Sequence, residues 1–351
     1  MLGLAILNNI FSMSNHFECK PNVDVKSIIK NIVPHLETKK INGYGKAPIN
    51  IALSKYWGKR NKNLNLPDMS SISISLPYFT TTEILLGKDQ DKIWLNDTAV
   101  DKNDPFYKRL SSFLDHFRKT KKTFFEVHTK NEIPTASGLA SSASGFAACA
   151  FALNDMFDWK LDKKNLSIIA RIGSGSACRS IFNGFVFWNK GKKRNGMDSF
   201  AEKIASTLPT LRIGIVLTSS QKKDIDSRTA MINSKDTSPF YSQWILAAEK
   251  SSVTIKKAIM EKNFDLLART AEENALALHA VMLSSSPSIL YWNSTTVEII
   301  KKVWEARKKN LANVFFTIDA GPNVKLIFED KDKKIVKKLF PGTIILKPIF
   351  D

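Results

Sequence analysis

The segment richest in chemical possibility is residues 134–145, PTASGLASSASG, where small side chains and hydroxyls end a strand-like stretch and open an apolar one. Only small residues let backbone N–H groups close around a phosphate at a helix N-terminus, where the helix dipole also favours negative charge. A tight helix start packed on a sheet has the same composition, and this stretch alone does not choose between the two. It contains neither G-x-x-x-x-G-K-S/T nor G-x-G-x-x-G, so it is neither a P-loop nor a dinucleotide fingerprint. A second cluster, GSGSACRS at 173–180, sets Ser174 and Ser176 in a turn ahead of Arg179. Two hydroxyl donors and one planar guanidinium suit a carboxylate or a phosphate, which a guanidinium grips through two parallel hydrogen bonds. A salt-bridged structural arginine is the alternative. A third, Lys55-Tyr56-Trp57-Gly58-Lys59-Arg60, concentrates three full positive charges and a phenol, or is simply a solvated basic turn. The fourth is Asp319 in FFTIDAGPN, a carboxylate delivered at a strand end, where a general base is expected and where ordinary turn chemistry also places aspartate.

These side chains need elements to hold them. Ile49, Ile51 and Leu53 alternate with polar neighbours, as does SISISL at 71–76, and both read as half-buried strands. Asp104 and Pro105 supply an N-cap and a first-turn proline ahead of Phe106, Leu110, Phe113, Leu114 and Phe117, whose three-and-four spacing predicts a helix. A strand over 123–129, a helix over 143–157, a helix near 166–172 and a strand over 184–188 come next. Beyond residue 210 come a strand from Leu211, long helices around 244–260 and 264–282, and strands at 314–318 and 324–328. Helices and strands alternate without a clean run of parallel units, which predicts an α+β chain of two fused lobes with a boundary near residue 210. Residues 16–40 read as an accessory lead-in with one weak amphipathic stretch at Ile28, Ile29, Ile32 and Val33.

Length and composition set the limits. A chain of 351 residues, 43% hydrophobic and 24% charged with 15 Gly and 13 Pro, is ordinary globular, which excludes collagen-like, wholly disordered and multi-span membrane classes. Lys+Arg 52 against Asp+Glu 33 gives +19, a field that attracts anions, whether nucleic acid, anionic lipid or a small phosphorylated substrate. Cys19, Cys149 and Cys178 have no CxxC pair and no metal-ligand spacing, so neither a disulfide framework nor structural zinc is expected and a reduced, cytoplasmic setting is the default. The opening MLGLAILNNIFSM is too short to span a bilayer, has no preceding Lys or Arg, and reads as a frayed start with Met13 as an alternative initiator.

Taken together, the four segments resemble the diphosphomevalonate decarboxylases of the GHMP small-molecule kinase superfamily. KAPINIALSKYWGKR, PTASGLASSASGFAA, ARIGSGSACRS, KKDIDSRTAM, the ALHAVML segment around His279 and TIDAGPN match that family's signature stretches in the family's order, from about Gly45 to the C-terminus. The resemblance implies a two-lobed GHMP kinase fold, with an N-terminal lobe like ribosomal-protein α/β domains over 45–210 after an extension at 1–44, a ferredoxin-like C-terminal lobe over 211–351, and the site in the cleft between. It implies ATP and Mg²⁺, and a reaction in which the 3-hydroxyl of mevalonate 5-diphosphate is phosphorylated before phosphate and carbon dioxide leave, giving isopentenyl diphosphate. By the same resemblance Asp319, Arg179 and Lys55 are catalytic: Asp319 deprotonates or orients the hydroxyl, Arg179 grips the carboxylate, and Lys55 faces the reacting centre. Tyr56, Lys59, Ser174, Ser176, Arg179, Arg228 and Met231 match substrate-binding positions. Gly138, Leu139, Ala140, Ser141 and Ser142 match the ATP phosphate loop, with Ser141 or Ser142 a candidate Mg²⁺ contact.

Met69 stands where the family has an asparagine and Asp226 where a serine often precedes Ser227-Arg228. A carboxylate two residues from Arg228 weakens the attraction for a diphosphate, which keeps two alternatives in view, a mevalonate 3-kinase and a phosphomevalonate decarboxylase. A basic nucleic-acid-binding protein is the alternative of another class, disfavoured because the lysines are scattered and no aromatic platform signature accompanies them. The expectation is therefore a cytoplasmic homodimer with a small-molecule substrate and no nucleic-acid or membrane partner.

Overall fold

The computed structural model describes residues 24–132, 142–219 and 224–350. The opening apolar run, Cys19 and the phosphate-loop candidates Gly138, Leu139, Ala140 and Ser141 lie outside the described residues.

The first lobe is built on a seven-stranded sheet. β1 (Asn42–Ser54) runs antiparallel to β4 (Ser71–Gly87) over most of its length. The other pairings of β4 are divided between β7 (Phe124–Asn131), beside residues 80–87, and β8 (Phe185–Trp188), beside residues 71–74. β5 (Lys92–Leu95) joins β7 in parallel, β6 (Thr98–Ala99) and β9 (Ala201–Lys203) end the path β6-β5-β7-β4-β8-β9, and among the described residues β1 pairs with β4 alone. β2 (Lys59–Asn61) and β3 (Leu66–Pro67) make a separate two-stranded ribbon.

Helix α2 (Pro105–Leu114) begins where the capping residues predict, with Asp104 accepting the N–H of Phe106 at 2.7 Å and proline in the first turn. Helix α3 (Ser142–Met156) is apolar almost all round and lies directly on β1. The approach is so close that a Cβ on Gly43 or Gly45 would sit 2.2 or 2.0 Å from the carbonyl oxygens of Ala152 and Ala148. Helix α4 (Lys163–Gly173) and a 3₁₀ turn at Gly175–Ile181 complete this face. The expected accessory lead-in supplies α1 (Val25–Ile32), whose Val25, Ile28, Ile29 and Ile32 are buried in the same core as Phe113, Phe117 and Phe157. An amphipathic helix of this length is stabilised by what its apolar face covers, and here it covers the lobe.

The second lobe carries β10 (Leu211–Val216), β11 (Phe315–Ile318), β12 (Val324–Glu329) and β13 (Ile344–Leu346) in the order β11-β12-β10-β13, all antiparallel. Counted within the lobe this is the 2-3-1-4 order of a ferredoxin-like sheet. Helices α5 (Ser227–Thr237), α6 (Tyr241–Met260), α7 (Phe264–Leu283) and α8 (Ser294–Lys308) connect β10 to β11, and α9 (Lys333–Leu339) connects β12 to β13. Strand alternation sends Phe316, Leu326 and Phe328 into a core with Val303 and Val336. Phe315 and Ile327 go the other way, into a core shared with the first lobe.

That shared core overturns one expectation. Alternation predicts half-buried strands for β1 from Ile49 and β4 through Leu76, yet nearly every residue there is buried on both faces. On one face Ile49, Ile51, Leu53, Ile72 and Ile74 pack with Ile213, Ile255, Ala271 and Phe315 of the second lobe. On the other, hydroxyls meet the 3₁₀ turn and the residue just past its end: Ser71 Oγ accepts from Arg179 Nη1 at 2.6 Å and Ser75 Oγ donates to Phe182 O at 3.0 Å. The polar half of the alternation is a hydrogen-bonded interface, not a solvated surface. The molecule is α+β and two-lobed, with the lobes joined by a continuous apolar seam.

Candidate active site

At the seam, residues 55–58 carry the chain from β1 to β2. Asn274 on α7 accepts the backbone N–H of Lys55 at 2.7 Å, and the indole of Trp244 on α6 donates to Trp57 O at 3.0 Å. Second-lobe helices thus hold a first-lobe turn. Lys55, 2% exposed, sends its ammonium to Asp319 Oδ1 at 2.7 Å and to Ala52 O at 2.9 Å. Asp319 sits just past β11, on the same face as Thr317 by the two-residue strand period. Lys325 of β12 lies directly across from Thr317, so its ammonium reaches Asp319 Oδ2 at 3.2 Å. The carboxylate is bridged by two buried ammoniums while its side chain remains 40% exposed toward the cavity.

A cavity of about 330 Å³ opens in front of this group, between the lobes. Lys55, Tyr56, Lys59, Ser142, Ser174, Ser176, Arg179, Arg228, Met231 and Asp319 all line it, so the described residues to which the resemblance gives a catalytic, substrate or nucleotide role meet in one place. Ser142 Oγ is 3.1 Å from Ser174 Oγ, which ties the start of α3 to the second cluster. Arg179 is 3% exposed, donates to Ser71, lies 5.8 Å from the Trp188 ring, and keeps an Nε without a hydrogen-bond partner. The buried Tyr56 hydroxyl is likewise without one. Unpaired buried donors are costly, and a ligand with acceptor oxygens removes the cost.

Sequence reading missed Arg109, which reaches the cavity from α2 with its Nε unpartnered. With Lys59 and Arg228 it makes a cluster of like charge. Asp226, expected to oppose a diphosphate, lines the same cavity and also caps α5, accepting from the N–H groups of Arg228 at 2.9 Å and Thr229 at 3.2 Å and from the Thr229 hydroxyl at 2.6 Å. Its carboxyl is held below the ordinary range, burial opposing the change and the hydrogen bonds to Thr229 and Arg228 driving it. Met69 is fully buried beside Trp57, Met231, Tyr241 and Trp244, a packing position in place of the family's polar one.

The electrostatics follow from burial and crowding. Burial pushes Lys55 down to about 8; Asp319 pulls it back up in part, while Lys325 and Arg179 add to the fall. Lys59 is also pushed down to about 8, by burial first and then by Arg228, Arg109 and Lys62. Burial raises the Tyr56 phenol, which stays a neutral donor. For Asp319, burial works upward, but the charges and hydrogen bonds of Lys55 and Lys325 outweigh it and hold the carboxyl well below the usual carboxylate range.

Two family models match the chain in succession. Residues 47–201 match the diphosphomevalonate decarboxylase-like N-terminal domain and residues 213–345 the mevalonate 5-diphosphate decarboxylase C-terminal domain. The chain belongs to the diphosphomevalonate decarboxylase family. Among curated members, the diphosphomevalonate decarboxylase of Candida albicans is 37% identical over 314 residues, 84% of this chain and 86% of that one. Among solved structures, mevalonate diphosphate decarboxylase from Staphylococcus aureus superposes with a TM-score of 0.81 at 36% identity, covering 88% of this chain and 96% of that one. MDDEF in complex with MVAPP, AMPPCP and magnesium gives 0.82 at 37% identity, covering 88% and 97%. In diphosphomevalonate decarboxylases, as in this chain, the fold is the two-lobed GHMP kinase type.

Proposed function

We propose that this chain catalyses the ATP-dependent decarboxylation of mevalonate 5-diphosphate to isopentenyl diphosphate. The observation that carries the reading is the set of charges gathered in one cavity: a lysine-bridged carboxylate, a buried guanidinium with an unused donor, and a cluster of Lys59, Arg109 and Arg228 that outnumbers the one other described carboxylate, Asp226. Like charges crowded in the free protein favour a polyanion that relieves them. The diphosphate goes to that cluster with Tyr56 and the Met231 wall, and the substrate carboxylate to Arg179 with Ser174 and Ser176. The 3-hydroxyl goes to Asp319. Its oxygen bonds to the γ-phosphorus as the bond to the ADP oxygen breaks, and the hydroxyl proton, hydrogen-bonded to Asp319 but not stored there, is lost to solvent as the phosphate ester forms. The C3–O bond then breaks toward phosphate, with Lys55 stabilising the departing charge, and the C1–C2 electron pair becomes the C2–C3 double bond as carbon dioxide leaves. No electron sink is needed because the leaving phosphate drives the second step.

ATP is assigned to the loop at 138–142, of which Ser142 is described. A second cavity of about 230 Å³ shares Arg109 and Ser142 with the first and is walled by Leu95, Phe106, Val127 and Phe146, which suits a flat adenine ring. Among the described residues no cluster of three His, Cys, Asp or Glu could hold a metal. Mg²⁺ would be carried by the phosphate oxygens of ATP, and Ser142 or Ser141 would be the hydroxyl that holds it to the chain. When bound, Mg²⁺ neutralises charge on the phosphates. The first lobe is assigned to 45–210 after an extension at 1–44, and the second to 211–351. No helix among the described residues is long and apolar enough to cross a membrane. The working form is proposed to be a cytoplasmic homodimer, checked by sedimentation of the chain, where a monomer at working concentration would overturn it.

The deciding experiment supplies Mg-ATP with mevalonate, its 5-phosphate or its 5-diphosphate and follows ADP, phosphate and carbon dioxide. Equal amounts of all three products with the 5-diphosphate, and little with the others, is the expected result. ADP without carbon dioxide would make the chain a 3-kinase and end the proposal.

A further inference from the structure

Lys325 is 3% exposed, lies on β12 and does not line the cavity. Its ammonium contacts Asp319 Oδ2 at 3.2 Å and Asn323 O at 3.2 Å. Taking an ammonium out of water costs several kcal/mol, and an apolar side chain between Val324 and Leu326, both fully buried, would be cheaper for stability. The position is occupied by a charge whose one ionic partner among the described residues is the carboxylate that faces the reacting hydroxyl. Lys55 alone fixes one oxygen of that carboxylate and leaves the other free to swing about Cβ–Cγ; Lys325 fixes the second.

Resting on the activity proposed above, we infer that Lys325 is a positioning residue for phosphoryl transfer: it locks the plane of the Asp319 carboxylate and keeps it ionised as the negatively charged phosphates of ATP and substrate approach. The charged groups facing Asp319 are Lys55 from the end of β1, Lys325 from β12 and Arg179 from the 3₁₀ turn; the titratable His279 of α7 lies against the Ile318–Asp319 backbone. Of the cations, only Lys325 lies outside the cavity, so it acts through Asp319 and not on the ligand.

The test is a double-mutant cycle on the full chain, read as carbon dioxide release from mevalonate 5-diphosphate and Mg-ATP. Lys325→Met should lower kcat at least tenfold with both KM values within threefold, and Lys325→Arg should restore kcat to within about fivefold of the parent. Combined with Asp319→Asn, Lys325→Met should cost less than a further twofold, because a residue that works only through Asp319 has nothing left to position. A Lys325→Met kcat within twofold of the parent, or losses that multiply in the double variant, would overturn the role. Lys325→Gln replaces Met if that variant does not fold; failure of both neutral variants to fold, with Arg folding, makes the residue structural and also overturns it. A parent chain inert toward mevalonate 5-diphosphate sinks the activity itself, whereas an active parent with an indifferent Lys325→Met sinks only this inference.

Discussion

Asp319 accepts from Lys55 at 2.7 Å and from Lys325 at 3.2 Å, which makes its carboxylate a firm hydrogen-bond acceptor and a weak base, better suited to aiming the tertiary hydroxyl than to storing its proton. Asp319→Asn keeps the shape and loses the charge, and turnover should drop by at least ~10²-fold with nucleotide binding unchanged in a fluorescence titration. Near-normal turnover would remove Asp319 from the chemistry. For Arg179→Lys the expected loss is also large, at least ~10-fold in kcat/KM, since a point charge cannot reproduce the planar fork; unchanged kinetics would put the substrate carboxylate elsewhere. The two depressed lysines give a pH dependence whose sign is fixed. Lys55 and Lys59 are needed as cations, both sit near 8, and both lose their protons as pH rises, so kcat/KM should fall above about pH 8. Lys59→Arg, which cannot deprotonate there, should make that fall shallower, and an unaltered profile would mean Lys59 does not set it.

The turn carrying Lys55 and Lys59 depends on Gly58, whose φ of +136° is a region side chains rarely enter. A Cβ there would lie 1.6 Å from the Tyr241 hydroxyl, which is itself held by Asp68 at 2.7 Å. Gly58→Ala should therefore cost about 2–5 kcal/mol, from backbone strain and overpacking together, read as a lowered urea midpoint. Adding Tyr241→Phe should recover part of it; no recovery would place the whole penalty in the backbone. Such elements are legible in the sequence to different depths, for physical reasons. Helix α2 can be read because its cap, proline and apolar stripe are all local. The double burial of β1 and β4 cannot, because the segments that cover their second face begin more than a hundred residues later in the chain. Nothing in its own helix marks Arg109, which matters only because α2 brings it up to Ser142 and α3. Lys325 is placed opposite Thr317 by the register across the 319–323 turn. The alternation in TIDAGPNVKL carries that signal, but only a known pairing converts it into a contact.

With Ile49, Ile51, Ile72 and Ile74 packed on Ile213, Ile255 and Phe315, neither lobe owns the core between them, and unfolding should be one cooperative event rather than two. His279 sits at this seam, 2% exposed, its ring 4.5 Å from that of Trp292 and its Nε2 without a hydrogen-bond partner. Burial first, and the nearby charge of Lys55 second, push it down to about 3 from an ordinary 6.5. The direction of the pH effect depends on which state binds the proton. Below 6.5 the unfolded chain takes up a proton that the native state refuses until about 3, so stability falls as pH falls through this window. Over the two pH units from 7 to 5 that single group should remove about 2 kcal/mol. Asp319, held below the ordinary carboxylate range, adds a loss in the same direction at still lower pH. Because the lobes share their core, the loss should be felt by the entire chain, and tryptophan fluorescence and far-UV circular dichroism should give coincident urea transitions that shift together. His279→Gln, which cannot be protonated, should flatten the dependence between pH 7 and 5 by the slope of about one proton while leaving the transitions coincident. Equal pH slopes in the two proteins would mean that the native histidine titrates freely, and separate transitions would mean that the seam does not couple the lobes.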